Sequence, residues 1–112
     1  MERNISWINA AQRDFKKFPD AVQIQMQRAL TVAAAGQMAD ICKPMKGLGA
    51  GVLEVRVAYR TNAYRTIYAV KLGKDVYVVH AFQKRSTTGI KTPTKEVDVI
   101  KLRLKRLKEE LK

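Results

Sequence analysis

The 112-residue sequence predicts an α+β fold: a helical hairpin and a C-terminal helix packed on a small antiparallel β-meander, forming one domain over residues 1–112. Three observations predict it. Apolar residues recur at helical spacing over 20–35 and again over 97–111. Between them, 52–82 divides into three strand-like runs whose short connections require antiparallel pairing. With 46% hydrophobic residues, the chain can also bury a core.

The elements follow in order. Residues 5–8 read as a short strand or as the lead into a helix. Ala11, Phe15 and Phe18 then recur at near-helical spacing, and Pro19 stops that helix and suits the start of the next. In the second helix Val22, Met26, Ala29, Leu30 and Ala33 form one face, and Gly36 is a natural C-terminal stop. Residues 37–51, punctuated by Pro44, Gly47, Gly49 and Gly51, read as a loop. In the first strand, 52–59, Leu53, Val55, Val57 and Tyr59 share one side and Glu54 and Arg56 take the other. Thr61, Asn62 and Ala63 are the expected turn into a strand over 64–72, and Gly73, Lys74 and Asp75 turn the chain again. The third strand, 76–82, is nearly all apolar, as in a central strand covered on both faces. After a polar stretch, 83–93, Thr92 is placed to cap a last helix with Pro93 at its first position. Val97, Ile100, Leu104, Leu107 and Leu111 give that helix its apolar stripe.

Charge sets the class of partner. Lys and Arg total 22 against 10 Asp and Glu, a formal charge of +12. Residues 1–42 hold five basic and four acidic groups, net +1; residues 43–112 hold seventeen and six, net +11. Self-repulsion of this size destabilises a compact state, and a phosphate backbone relieves it. The single cysteine, Cys42, permits no internal disulfide, and with one histidine, His80, there is no usual zinc set. The glycines of 47–51 match neither GxGxxG nor a P-loop. No apolar run approaches a membrane span, and Glu2, Arg3 and Asn4 interrupt any signal core, so the cytoplasm is the expected location.

The candidate chemistry is cationic and aromatic. Arg56, Arg60, Tyr64, Arg65, Tyr68, His80, Lys84 and Arg85 lie on or beside the strands, where a meander can bring such groups to one concave surface. By alternation, His80, Phe82 and Lys84 share a face. Guanidinium and ammonium groups bind phosphates, and tyrosines stack on bases. The same set can cleave RNA without a metal or cofactor: the ribose 2′-hydroxyl attacks the adjacent phosphate, cations stabilise the transition state and a side chain moves the proton.

Four stretches carry a family resemblance. KGLGAGVLEVR at 46–56 resembles the glycine-rich approach and "E-x-R" strand of RelE/ParE-superfamily toxins, in particular their phage-derived, HigB-like branch. YRTIY at 64–68 resembles that branch's "YR-x-x-Y" strand, and VHAFQKR at 79–85 its "L-H-x-F-x-K-K" strand. Thr92-Pro93 followed by Glu96 resembles the start of its last helix. The similarity covers roughly 5–107, in the expected order. It implies a RelE-like fold and the toxin of a type II toxin–antitoxin pair that cuts mRNA, often on the ribosome, and is neutralised by an antitoxin, expected here to be a helix-turn-helix protein. It puts Arg56 and Arg65 on the recurring arginines and Lys84 on the recurring lysine, while Arg85 replaces a second lysine.

The expected catalytic set is therefore Arg56, Arg65, Lys84, Tyr68 and His80, with RNA held by Lys43, Lys46, Arg60, Tyr64, Arg85 and Lys91. Two alternatives belong to other classes: a ParE-like inhibitor of DNA gyrase without nuclease activity, against which the basic sheet residues argue, and a non-catalytic nucleic-acid-binding phage accessory protein.

Overall fold

The computed structural model describes residues 2–84 and 92–112. It contains β1 (Ile5–Trp7), α1 (Asn9–Phe15), α2 (Asp20–Ala34), β2 (Cys42–Pro44), β3 (Val52–Tyr59), β4 (Asn62–Ala69), β5 (Val76–Lys84) and α3 (Thr94–Glu110). The α+β fold is as expected, but the sheet has five strands, ordered β1-β5-β4-β3-β2. The expected meander is its centre. The ambiguous segment 5–8 supplies β1, which runs parallel to β5 and is tied down where Ser6 Oγ donates to Asp75 Oδ2 at 2.6 Å. The expected loop 37–51 supplies β2, antiparallel to β3.

The sheet is covered on both sides. Against one face, Phe15, Val22, Met26 and Leu30 of α1 and α2 pack on Leu53, Val55, Val57, Tyr64, Tyr68, Val76 and Val78. Against the other, Ile100, Leu104 and Leu107 of α3 pack on Val52, Ile67, Ala69 and Val79. Gly36 ends α2 in a left-handed conformation, with its N–H donating to Ala33 O and that of Gln37 to Val32 O. The β3–β4 turn is tighter than expected, because Tyr59 and Asn62 are already paired and only Arg60 and Thr61 connect them. Arg60 meets that demand by adopting φ +57°.

One irregularity decides what faces what. Ile67 pairs with His80 but Tyr68 pairs with Val78, so Val79 is the extra residue of a β-bulge. Strict alternation would put His80, Phe82 and Lys84 with Val76 and Val78, under the helical hairpin. The bulge turns all three over to the α3 side, where they pair with Ile67, Arg65 and Ala63 respectively. Among the described residues no helix is long and apolar enough to cross a membrane.

Candidate functional site

The site grows out of the polar end of the α3-facing side of the sheet. Glu54 and Arg56 alternate with the core residues of β3, and Arg65 stands directly across from Arg56 on β4. Two guanidinium groups facing each other across a strand pair are mutually destabilising unless a carboxylate joins them. Glu54 does so: its Oε1 accepts from Arg56 Nη2 at 2.9 Å, and its Oε2 lies 3.7 Å from Arg65 Nη1. Thr92 completes the cluster, donating to Glu54 Oε2 at 3.2 Å and accepting from Arg65 Nη1 at 3.3 Å.

The two arginines occupy different environments. Arg65 is 1% exposed, with its guanidinium carbon 6.0 Å from the centre of the Phe82 ring. Burial pulls its pKa below the usual arginine value; Glu54 opposes that shift and Arg56 adds to it. The side chain of Arg56 is 32% exposed and borders a cleft of about 200 Å³ with Asp40, Ile41, Lys43 and Glu54. Lys43 stands opposite Glu54 in the β2–β3 register, which puts a second cation on the cleft wall. Arg56 is thus partly open to the cleft, while Glu54, itself paired with Arg65, holds it from behind.

His80 lies on the same sheet face, stacked on Phe82 with ring centres 5.3 Å apart, but both its nitrogens are engaged. Arg103 Nη1 lies 3.0 Å from Nδ1, and as a guanidinium can only donate, Nδ1 accepts. Nε2 therefore carries the hydrogen and donates to Glu96 Oε1 at 3.2 Å. Burial is the main cause lowering the His80 pKa, with Arg103 adding and Glu96 and Asp14 opposing. A neutral imidazole that ties α3 to β5 is a structural histidine, and the expectation that it moves a proton does not fit this placement.

Tyr64 and Tyr68 are a clearer correction. Both point to the α1–α2 side, because they fall at the core parity of β4. Tyr64 packs edge-on against Phe18, with ring centres 4.9 Å apart. Tyr68 is 1% exposed, and its hydroxyl has no hydrogen-bond partner among the described residues. Burial, reinforced by the Cys42 thiol, raises its pKa far above the ordinary phenol value. Neither tyrosine is brought to the arginine cleft.

Lys84 ends β5 on the cleft's face of the sheet and is half-buried. Arg60 sits at the hairpin tip with its guanidinium over the Tyr59 ring at 5.4 Å, and Lys46 is exposed on the β2–β3 connection, outside the cleft lining. Arg85 and Lys91 lie outside the described residues. Thr92 is not the helix cap that was expected: Pro93 occupies that position, and the Thr92 hydroxyl is spent on Glu54 and Arg65. Among the described residues no cluster of three or more His, Cys, Asp or Glu is placed to hold a metal ion.

Comparison with known proteins places this architecture. A family model described as phage-derived protein Gp49-like matches residues 13–105. The chain belongs to the Gp49-like family. No curated protein sequence matches it significantly. Among solved structures it is similar to the free state of an arginine double mutant of the Escherichia coli toxin RelE, with TM-score 0.63, 16% identity, and 95% of this chain and 98% of that one covered. It is also similar to the toxin–antitoxin complex RelBE2 of Mycobacterium tuberculosis, with TM-score 0.51, 17% identity, and 77% and 95% coverage. The Gp49-like chain therefore has the fold of the RelE toxins, as the sequence motifs imply.

Residues that sequence reading passed over complete the site. Glu54 was visible only as the acid of "E-x-R"; that a buried carboxylate would grip two arginines needed the β3–β4 register. Arg103 carries no signal in the sequence and Glu96 only its place in the helix-start motif, and their link to His80 depends on the bulge.

Proposed function

We propose that this protein is the toxin of a type II toxin–antitoxin pair, of HigB-like character, and that it inhibits translation by cutting mRNA, on the ribosome, in the cytoplasm. The observation that carries the reading is the buried Glu54 holding Arg56 and Arg65 while Arg56 borders a cleft with Lys43. An arginine fixed on a strand by a buried carboxylate is preorganised to receive a phosphate. In the proposed reaction the ribose 2′-hydroxyl gives its proton to solvent water as its oxygen bonds to the adjacent phosphorus, and the bond to the 5′-oxygen breaks. Arg56 and Lys43 stabilise the charge that builds on the phosphoryl oxygens. Arg65 is a positioning residue, acting through Glu54. Lys84 contributes positive charge or donates the proton that the leaving 5′-oxygen requires. Tyr68 and His80 are left out of the chemistry, the first by its face of the sheet and the second by its engaged nitrogens.

The RelBE2 structure pairs its toxin with an antitoxin, and the same kind of partner is proposed here, with a helix-turn-helix protein as the expected form. The test is to incubate the purified protein with translating ribosomes and map the 5′ ends of the mRNA. New ends within the coding sequence are expected. Intact mRNA together with inhibited DNA supercoiling would replace this reading with the ParE-like one.

A further inference from the structure

A second cationic surface lies away from the arginine cleft. A groove of about 450 Å³ runs between the C-terminal half of α3 and the β2–β3 connection, lined by Gly47, Leu48, Lys101, Lys105, Lys108 and Lys112 among others. Steps of four, three and four residues keep these lysines on one stripe of the helix and its C-terminal end. Lys101 to Lys108 alone spans about 10 Å at the helical rise. All four are exposed, and none forms an ion pair among the described residues. The loop closes the other wall: a Cβ built on Gly49 would stand 4.0 Å from Lys108 Nζ.

We infer that this groove binds the phosphate backbone of RNA outside the cleft, as an anchoring surface separate from the place of cleavage. This rests on the RNA reading proposed above. Four lysines line the groove against one carboxylate, Glu109, so the row keeps an excess of positive charge that repels itself, and a chain of regularly spaced phosphates neutralises it along its length while a single small anion does not. A protein partner fits less well. The apolar lining residues Leu48 and Leu104 are already 8% and 3% exposed, which leaves no apolar anchor of the kind that dominates protein interfaces. Lysine, a point charge on a flexible stem, suits backbone contact without base readout.

The test uses a 2′-O-methyl RNA strand, which lacks the attacking hydroxyl, and measures its affinity by fluorescence anisotropy over a range of KCl concentrations. The fourfold variant Lys101→Gln, Lys105→Gln, Lys108→Gln and Lys112→Gln should bind at least about tenfold more weakly, and the log–log salt slope should become shallower by about 3, at about 0.7 per single-strand phosphate contact. A control of equal charge loss, Lys16→Gln, Lys17→Gln, Arg28→Gln and Lys74→Gln, also changes exposed residues and should keep most of the parent's slope. On translating ribosomes the lysine variant should show a raised KM with kcat preserved. A steep slope that the lysine variant retains in full would overturn the groove assignment and leave the nuclease reading standing. A parent slope near zero would remove both. Loss of binding to an acidic polyglutamate peptide, with RNA binding unchanged, would make the groove a protein surface and overturn the inference.

Discussion

Replacing Arg56 with alanine separates catalysis from folding, and the structure sets both magnitudes. The substitution removes a 2.9 Å charge-assisted hydrogen bond to Glu54, a contact of about 1.5–3 kcal/mol when buried. Three features reduce that figure. The Arg56 side chain is 32% exposed, so solvent screens it. Glu54 keeps Arg65 and Thr92, so it is not left as a bare buried charge. The like-charge pairing of Arg56 with Arg65 across the strands disappears, returning about 0.2–1 kcal/mol. The expected net loss is about 1 kcal/mol, small enough for the variant to remain folded. Cleavage should nonetheless fall by about 10²-fold or more, because a preorganised donor at the developing charge is gone. The assay is mRNA cleavage on translating ribosomes, with urea unfolding on the same preparations. Arg106→Ala, on the exposed side of α3, is the comparison and should retain activity. A folded Arg56→Ala protein that cleaves at the parental rate would put the site elsewhere.

Three further outcomes are expected. Glu54→Gln keeps the shape but removes the charge opposite a 1%-exposed Arg65, and should cost about 3–5 kcal/mol in urea unfolding; a loss under about 0.5 kcal/mol would deny Glu54 its central place. His80 has a lowered folded-state pKa, so the unfolded chain binds the extra proton first: this contribution is fully present above the unfolded value near about 6.5 and declines as pH falls below it. Denaturant titrations should show that decline in the parent, and His80→Gln should lose it; identical pH profiles would contradict the neutral tautomer. Tyr68→Phe removes a buried hydroxyl that lacks a partner, so stability should hold or rise by about 1 kcal/mol with cleavage unchanged, whereas a large loss of cleavage would return Tyr68 to the chemistry.

The fold was legible wherever a periodicity ran long enough to register. Val22, Met26, Ala29, Leu30 and Ala33 are all buried, as are Ile100, Leu104 and Leu107, each set on the stripe that helical spacing predicts. The alternation of Leu53, Val55 and Val57 likewise put the core side of β3 in the right place and left Glu54 and Arg56 on the other. Strands β1 and β2 have three residues each, too few for a period of two to stand out, and both are defined by the neighbour they pair with. The site was legible in composition more than in arrangement. Tyr64 and Tyr68 were grouped with Arg65 although their even positions on β4 share the core side with Thr66. His80 shares the sheet face of Arg65, whereas alternation alone sends it to the opposite face; the bulge at Val79 is a property of pairing that no local pattern in β5 reveals.

The energetics of the cluster favour the proposed phosphate site over a purely structural ion pair. Along the β3–β4 pairing the α3-facing side is apolar as far as Val52, Ala69 and Ile67, then turns charged at Glu54, Arg56 and Arg65. Desolvating such groups is expensive, and well-packed apolar residues in their place commonly give equal or greater stability. Glu54, Arg65 and Thr92 are therefore poor choices for stability alone. They make sense as a support that fixes Arg56, whose partly exposed side chain borders the cleft with Lys43, in one orientation. A flexible surface arginine would lose side-chain entropy on each encounter with a phosphate, whereas one already held by a buried carboxylate has lost it on folding. The bulge serves the same end by turning Phe82 under Arg65 and Lys84 toward the same side of the sheet. Stability given up inside the sheet reappears as preorganisation at its surface, where an anion can use it.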